Sequence, residues 1–176
     1  MSDPIDSYWE VLLPFMASVN IYDGPEKYAE AVAVVPRAVV FLYATHMFLA
    51  EVHNGGLLQF FWNKTGIVAP ESVAGFRAIG MPIIASLLEK TASMLGFPYP
   101  RDRNDRCDAL LAASGRSLRE LNRVFKKPEN LYAAAVEATK PLGFDVLNKQ
   151  VWELAEKENG GFQERATRYA LRFPAN

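Results

Sequence analysis

Between Ala38 and Ala50 the chain runs for thirteen residues broken only by Thr45 and His46 among apolar and aromatic side chains. With its flanks, 36–53, this stretch reads as a helix with no wide polar face, because Val39, Val40, Phe41, Leu42, Tyr43, Met47, Phe48 and Leu49 point in every direction around it. A helix apolar all round has to be wrapped by other elements. A buried strand over Val39–Leu42 is the competing reading, but the run is too long and continuous for one. It is also too short for a bilayer, which takes about 20 residues. A shell of helices around one buried helix is therefore expected.

The rest of the sequence supplies such a shell. Asp3, Pro4 and Asp6 open a first helix over 3–19, carrying Trp9, Leu12, Leu13 and Met16 at helical spacing. Asp23 with Glu26 three residues later reads as a capping box for a second helix. A short helix is expected over 57–63, and one from Ala69 to about Gly96 with a bend at Pro82. Phe97-Pro98-Tyr99-Pro100 forms a loop, a candidate waist at 97–101. Four more helices follow, over 102–113, 117–127, 130–139 and 145–158, the second of them capped by Ser117 and Glu120, and a last one covers 162–173. No segment alternates as strands do. The expectation is all-α: one compact domain of about eight helices over residues 1–176.

Bulk properties narrow the function. Half the residues are hydrophobic and the net charge is −1, a globular composition without the basic excess of nucleic-acid binders. The opening Met-Ser-Asp-Pro-Ile-Asp has no basic-then-apolar leader, so a cytoplasmic protein without membrane attachment is expected. Cys107 is the single cysteine and sits between Arg106 and Asp108, where a bystander thiol, exposed or half-buried, is expected rather than a nucleophile. His46 and His53 are seven apart and share a helix face without a third ligand, so no metal and no cofactor is expected. No phosphate loop, dinucleotide fingerprint or nucleophile elbow is present, and no catalytic residue is assigned.

The polar residues that the core excludes gather just after the central helix, in Glu51-Val52-His53-Asn54-Gly55-Gly56-Leu57-Leu58-Gln59-Phe60-Phe61-Trp62-Asn63-Lys64-Thr65-Gly66. Gly55 and Gly56 allow a tight corner. Gln59 and Asn63, four apart, are neighbours on one helix face. Two readings stand side by side. In one the corner is a buried polar bracket, with Glu51 accepting from the open N–H groups of the next helix. In the other it is a small pocket lined by Glu51, His53, Asn54, Gln59, Trp62 and Asn63. A weaker echo, Glu156-x-x-Asn-Gly-Gly-Phe, lies 105 residues on.

Charge is uneven along the chain. Residues 1–62 carry seven acids and two bases, whereas 101–130 carry eight bases and five acids. Asp3, Asp6, Glu10 and Asp23, Glu26, Glu30 each follow an i, i+3, i+7 spacing, so each trio forms a row on one helix face. Such rows can imitate a phosphate backbone, although four of the six acids also occupy capping or first-turn positions for local reasons.

The motif formed by Glu51, Asn54, Gly55, Gly56, Gln59, Phe60, Phe61, Asn63 and Gly66, followed by Ala78-Ile79-Gly80, resembles a bacterial family of unknown function that includes an acidic DNA-mimic protein from Neisseria. The resemblance covers residues 45–82. It implies an all-helical fold, a homodimer, and capture of a DNA-binding regulator by an acidic surface. The net charge and the basic third quarter of this chain do not fit mimicry by the whole surface. A non-enzymatic module that binds a protein partner, a regulator or a toxin, is therefore expected, with no direct nucleic-acid binding. The alternative is a small-ligand binder or enzyme using Glu51, Asn54, Gln59 and Asn63.

Overall fold

The computed structural model describes residues 7–16, 19–124 and 128–173, with the backbone alone at 122, 124 and 128–130. Ten α-helices and no strand occur among the described residues. They are α1 Trp9–Met16, α2 Pro25–Ala33, α3 Arg37–Trp62, α4 Ala69–Ala78, α5 Pro82–Ser93, α6 Arg103–Ala113, α7 Leu118–Val124, α8 Pro128–Thr139, α9 Phe144–Lys157 and α10 Phe162–Ala170. No helix among these residues is long and apolar enough to cross a membrane.

α3 is the axis, and α1, α4, α6, α9 and α10 pack around it as an all-apolar helix requires. Leu42, Ala44, Thr45, Phe48 and Val52 along it are fully enclosed. α4 lies closest: a Cβ on its Gly75 would sit 2.7 Å from the Phe41 carbonyl oxygen, so only a glycine permits this approach. The hydroxyls inside this seam are satisfied locally. Ser72 donates to the Ala44 carbonyl at 2.8 Å and Thr45 to the Phe41 carbonyl at 2.9 Å. On the opposite flank α1 inserts Phe15 edge-on against Tyr43, with ring centres 5.1 Å apart.

The double glycine bends α3 rather than ending it. Gly55 has φ −156° and Gly56 φ +79°, and helix resumes on the far side through Trp62. The bend folds Phe60 back against Phe48, edge to face at 4.9 Å, and Phe48 also meets Phe76 of α4 at 5.5 Å. Aromatic pairs of this geometry contribute beyond their buried area. The aromatic residues after the corner therefore belong to the core.

Several local expectations are corrected. Asp23 does not cap α2: the cap position is Gly24, without a side-chain hydrogen bond. Asp23 instead closes a 3-10 turn, Ile21–Asp23, and accepts from the Asn20 amide at 2.9 Å. The single helix expected over 69–96 is two, because Gly80 at φ +83° separates α4 from α5 and Pro82 starts the second one. Cys107 is buried, at 2 % exposure, neither exposed nor half-buried, because its helix face turns onto α3. The first helix is described from Trp9 onward, so Asp3 and Asp6 lie outside the described residues. By contrast Ser117 and Glu120 form the expected reciprocal box, at 3.0 and 3.3 Å. The stretch expected as a waist is tied back to the core by Tyr99, which donates to the Gly66 carbonyl at 2.8 Å, and by Arg101, paired with Glu71 at 2.7 Å.

Candidate functional site

Three elements converge on the bend: the end of the long arm of α3, its short arm, and the 3-10 turn Lys64–Val68. Glu51, half-buried in the last turn before the bend, is the hub. Gln59 Nε2 donates to Oε2 at 2.6 Å, Asn63 Nδ2 to Oε1 at 3.2 Å, and the Thr65 hydroxyl to Oε1 at 2.5 Å. The four-residue spacing of Gln59 and Asn63 is what puts both amides on one side of the carboxylate. Charge-assisted hydrogen bonds to a carboxylate are the strong kind, and three donors occupy both oxygens.

The open N–H groups of the short arm do not go to Glu51. The Leu57 N–H goes to Asn148 Oδ1 of α9, at 2.8 Å. Gly56 is what allows this, since a Cβ there would run into the Asn148 amide group. Sequence reading missed Asn148 because it lies 91 residues away on another helix. It also missed Arg106, which is 1 % exposed and is the largest fully enclosed side chain. Arg106 donates from Nε to the Phe61 carbonyl at 3.2 Å and from a terminal nitrogen to the Asn63 carbonyl at 2.7 Å. A cation on the last carbonyls of a helix is favoured by the dipole, and burial lowers the guanidinium pKa from its ordinary value. Gly66 leaves room for it: a Cβ there would sit 2.7 Å from Arg106 Nε.

The other expected site residues are more dispersed. Asn54 is exposed on the outside of the bend, as is His53, whose Nδ1 donates to the Leu49 carbonyl at 2.8 Å. Trp62 is buried and faces α6 and α8, where it meets Tyr132 edge-on at 6.0 Å and Arg103 across its ring at 5.8 Å. Tyr132 has its pKa raised by burial and by the charge of Glu51. Glu51, Gln59 and Asn63 are therefore in contact, whereas His53, Asn54 and Trp62 point elsewhere. A cavity of about 130 Å³ touches the corner on its outer side, lined by Gly55, Leu58, Tyr132, Phe144 and Asn148.

His46 lies half-buried on the far side of α3, with Nδ1 3.0 Å from the Tyr8 hydroxyl oxygen and the Trp9 ring edge-on at 4.3 Å. Burial lowers its pKa. Among the described residues no group of three or more His, Cys, Asp and Glu side chains is arranged as a metal ion would require. Of the acidic rows, Glu10, Asp23, Glu26 and Glu30 are exposed.

A family model described as DMP19-like protein matches residues 35–172, well over half of the chain and spanning the whole corner. No curated protein and no solved structure matches.

Proposed function

The chain belongs to the DMP19-like family, and on that premise we propose that it is a non-enzymatic protein-interaction module whose partner is a DNA-binding regulator or a toxin. The observation that carries this reading is the state of its carboxylates. Glu51, the one carboxylate of the motif, is occupied by three donors of its own chain, which suits a bracket better than a catalyst. Asp23, Glu26 and Glu30 on and beside α2 face solvent, and Glu26 and Glu30 make no ion pair among the described residues. Uncompensated acids of this kind steer a basic partner and make its capture salt-dependent. The proposal takes the chain as one folded unit working in the cytoplasm, alone or as a homodimer.

The test is capture from a native lysate by the parent and by a Glu26→Gln, Glu30→Gln double variant, each across a salt series. Weaker capture with a flatter salt dependence is expected of the variant. Unchanged capture would end the acidic-face reading. The chain itself is expected not to bind DNA tightly, because Asp102, Asp105 and Asp108 interleave with the bases of α6. Submicromolar DNA binding that weakens steeply with salt is the contrary result. The small cavity beside Gly55 is lined by none of Glu51, Asn54, Gln59 and Asn63, so it does not favour a small-ligand site built on those residues.

A further inference from the structure

α5 and α9 leave an open groove of about 910 Å³ between them. The two helices run antiparallel, because Glu158, just past the end of α9, accepts from the Ile83 and Ile84 N–H groups at the start of α5, at 2.7 and 3.0 Å. That clamp sets the helix spacing at one end of the groove. Apolar side chains line both walls, Ile83, Leu87 and Met94 on one side and Val146, Leu147 and Leu154 on the other, beside the polar Ser86, Thr91 and Gln150. Ile83 is 59 % exposed and Val146 62 %, so the two rims stand open in water. Contiguous exposed apolar surface of this kind marks a binding site more often than chance exposure does.

We propose that this groove receives one amphipathic α-helix of a protein partner, with its apolar face inward and an acidic flank over Lys90. Shape, length and charge support the choice. Two antiparallel helical walls make a trough, and a second copy docking through the same face would present another trough, not the ridge needed to fill it. From Ile83 to Met94 the trough spans about 16 Å, three turns of a helix, which accommodates the roughly 10 Å spanned by anchors at i, i+3 or i+4 and i+7. On the rim Lys157 is paired with Glu153 at 3.6 Å, while Lys90 has no ion pair among the described residues. The rim charge left over is therefore positive. The proposal rests on the interaction reading above for its biology, but it concerns a different face of the molecule.

The probe is a fluorescent model peptide of about 14 residues, with leucines at those spacings and glutamates on one flank, beside a scrambled control of the same composition. Titration with the full chain is expected to show saturable binding to the helical peptide alone. Val146→Glu is expected to weaken it by about tenfold or more while leaving the melting temperature unchanged, since Val146 is exposed. Lys90→Glu is expected to weaken it several-fold and to be rescued by a peptide carrying lysines on the flank. No binding, equal binding of the scrambled peptide, or indifference to both substitutions overturns the proposal. So does self-association that Val146→Glu removes, which would make a second copy the occupant. If the peptide fails but capture of the lysate partner still depends on Glu26 and Glu30, the groove proposal falls and the interaction reading stands.

Discussion

Two corners of this molecule share the letters Glu-x-x-Asn-Gly-Gly and do different work. At the first, Asn54 stays helical, Gly56 alone takes a positive φ, and α3 continues past the bend. At the second, Asn159 (φ 53°), Gly160 and Gly161 all turn left-handed, α9 ends and α10 begins. The carboxylates differ as well. Glu51 collects side-chain donors, its counterpart Glu156 faces solvent, and the working carboxylate of the second corner is Glu158, two residues on. Glu158 performs the task that sequence reading gave to Glu51, receiving the free N–H groups at the start of a helix. The role of a carboxylate is set by the donors that tertiary packing brings to it, and identical local spelling does not determine it.

The largest expected effect tests that contrast directly. Glu158→Ala leaves the Ile84 N–H buried without a partner and the Ile83 N–H partly so, at roughly 1–3 kcal/mol for each donor, and it also removes a negative charge from a helix start. Glu158→Gln is expected to be nearly as harmful. The backbone donors cannot turn away, and one of the two acceptor oxygens becomes an amide that faces a donor. Chemical denaturation of both variants measures this, and an alanine variant as stable as the parent would break the comparison.

Next comes the backbone of the first corner. Gly56 combines φ +79° with ψ −177°, a region essentially closed to side chains, and strain there is on the order of 1–3 kcal/mol. Gly56→Ala must also displace the Asn148 amide that accepts from Leu57. Gly55→Ala is expected to cost less. Its φ is not in the left-handed region, and its Cβ would press on the Gln59 side chain, whose amide end can move aside and whose Cβ would stand 3.1 Å away. Thermal melts of the two variants check that order.

What was legible in the sequence follows the range of the interactions. The all-α fold, the buried α3 and the Ser117–Glu120 box depend on spacings within one or two turns. So does the contact between Gln59, Asn63 and Glu51, once the glycines are read as a bend. Arg106, Asn148 and Glu158 were not legible. Each acts on a backbone group at least 43 residues away, and the sequence around Asn148 and Glu158 does not mark them. Arg106 left a faint signal, a charge on the same face as the buried Leu110 one turn later. Without knowing which helix covers that face, it reads as one more base in a basic segment.

The smallest expected effect is at Glu51, and its size separates the two corners. Its three partners are side chains at a half-buried site, so after Glu51→Ala the Gln59 and Asn63 amides can swing toward water, and only the buried Thr65 hydroxyl is left to find another acceptor. A loss of about 1–2 kcal/mol is expected, below that of Glu158→Ala. Glu51→Gln should cost a few tenths of that range, because a side-chain amide can flip. Gln59 then offers its oxygen to the new amide nitrogen, while Thr65 and Asn63 keep the new carbonyl oxygen. No such exchange is open to Glu158, whose donors are fixed in the backbone. The ratio of the Gln to the Ala effect is therefore expected to be small at residue 51 and near one at residue 158. Equal ratios at the two sites would mean that the corners share a mechanism after all, and that the difference in donors does not govern either one.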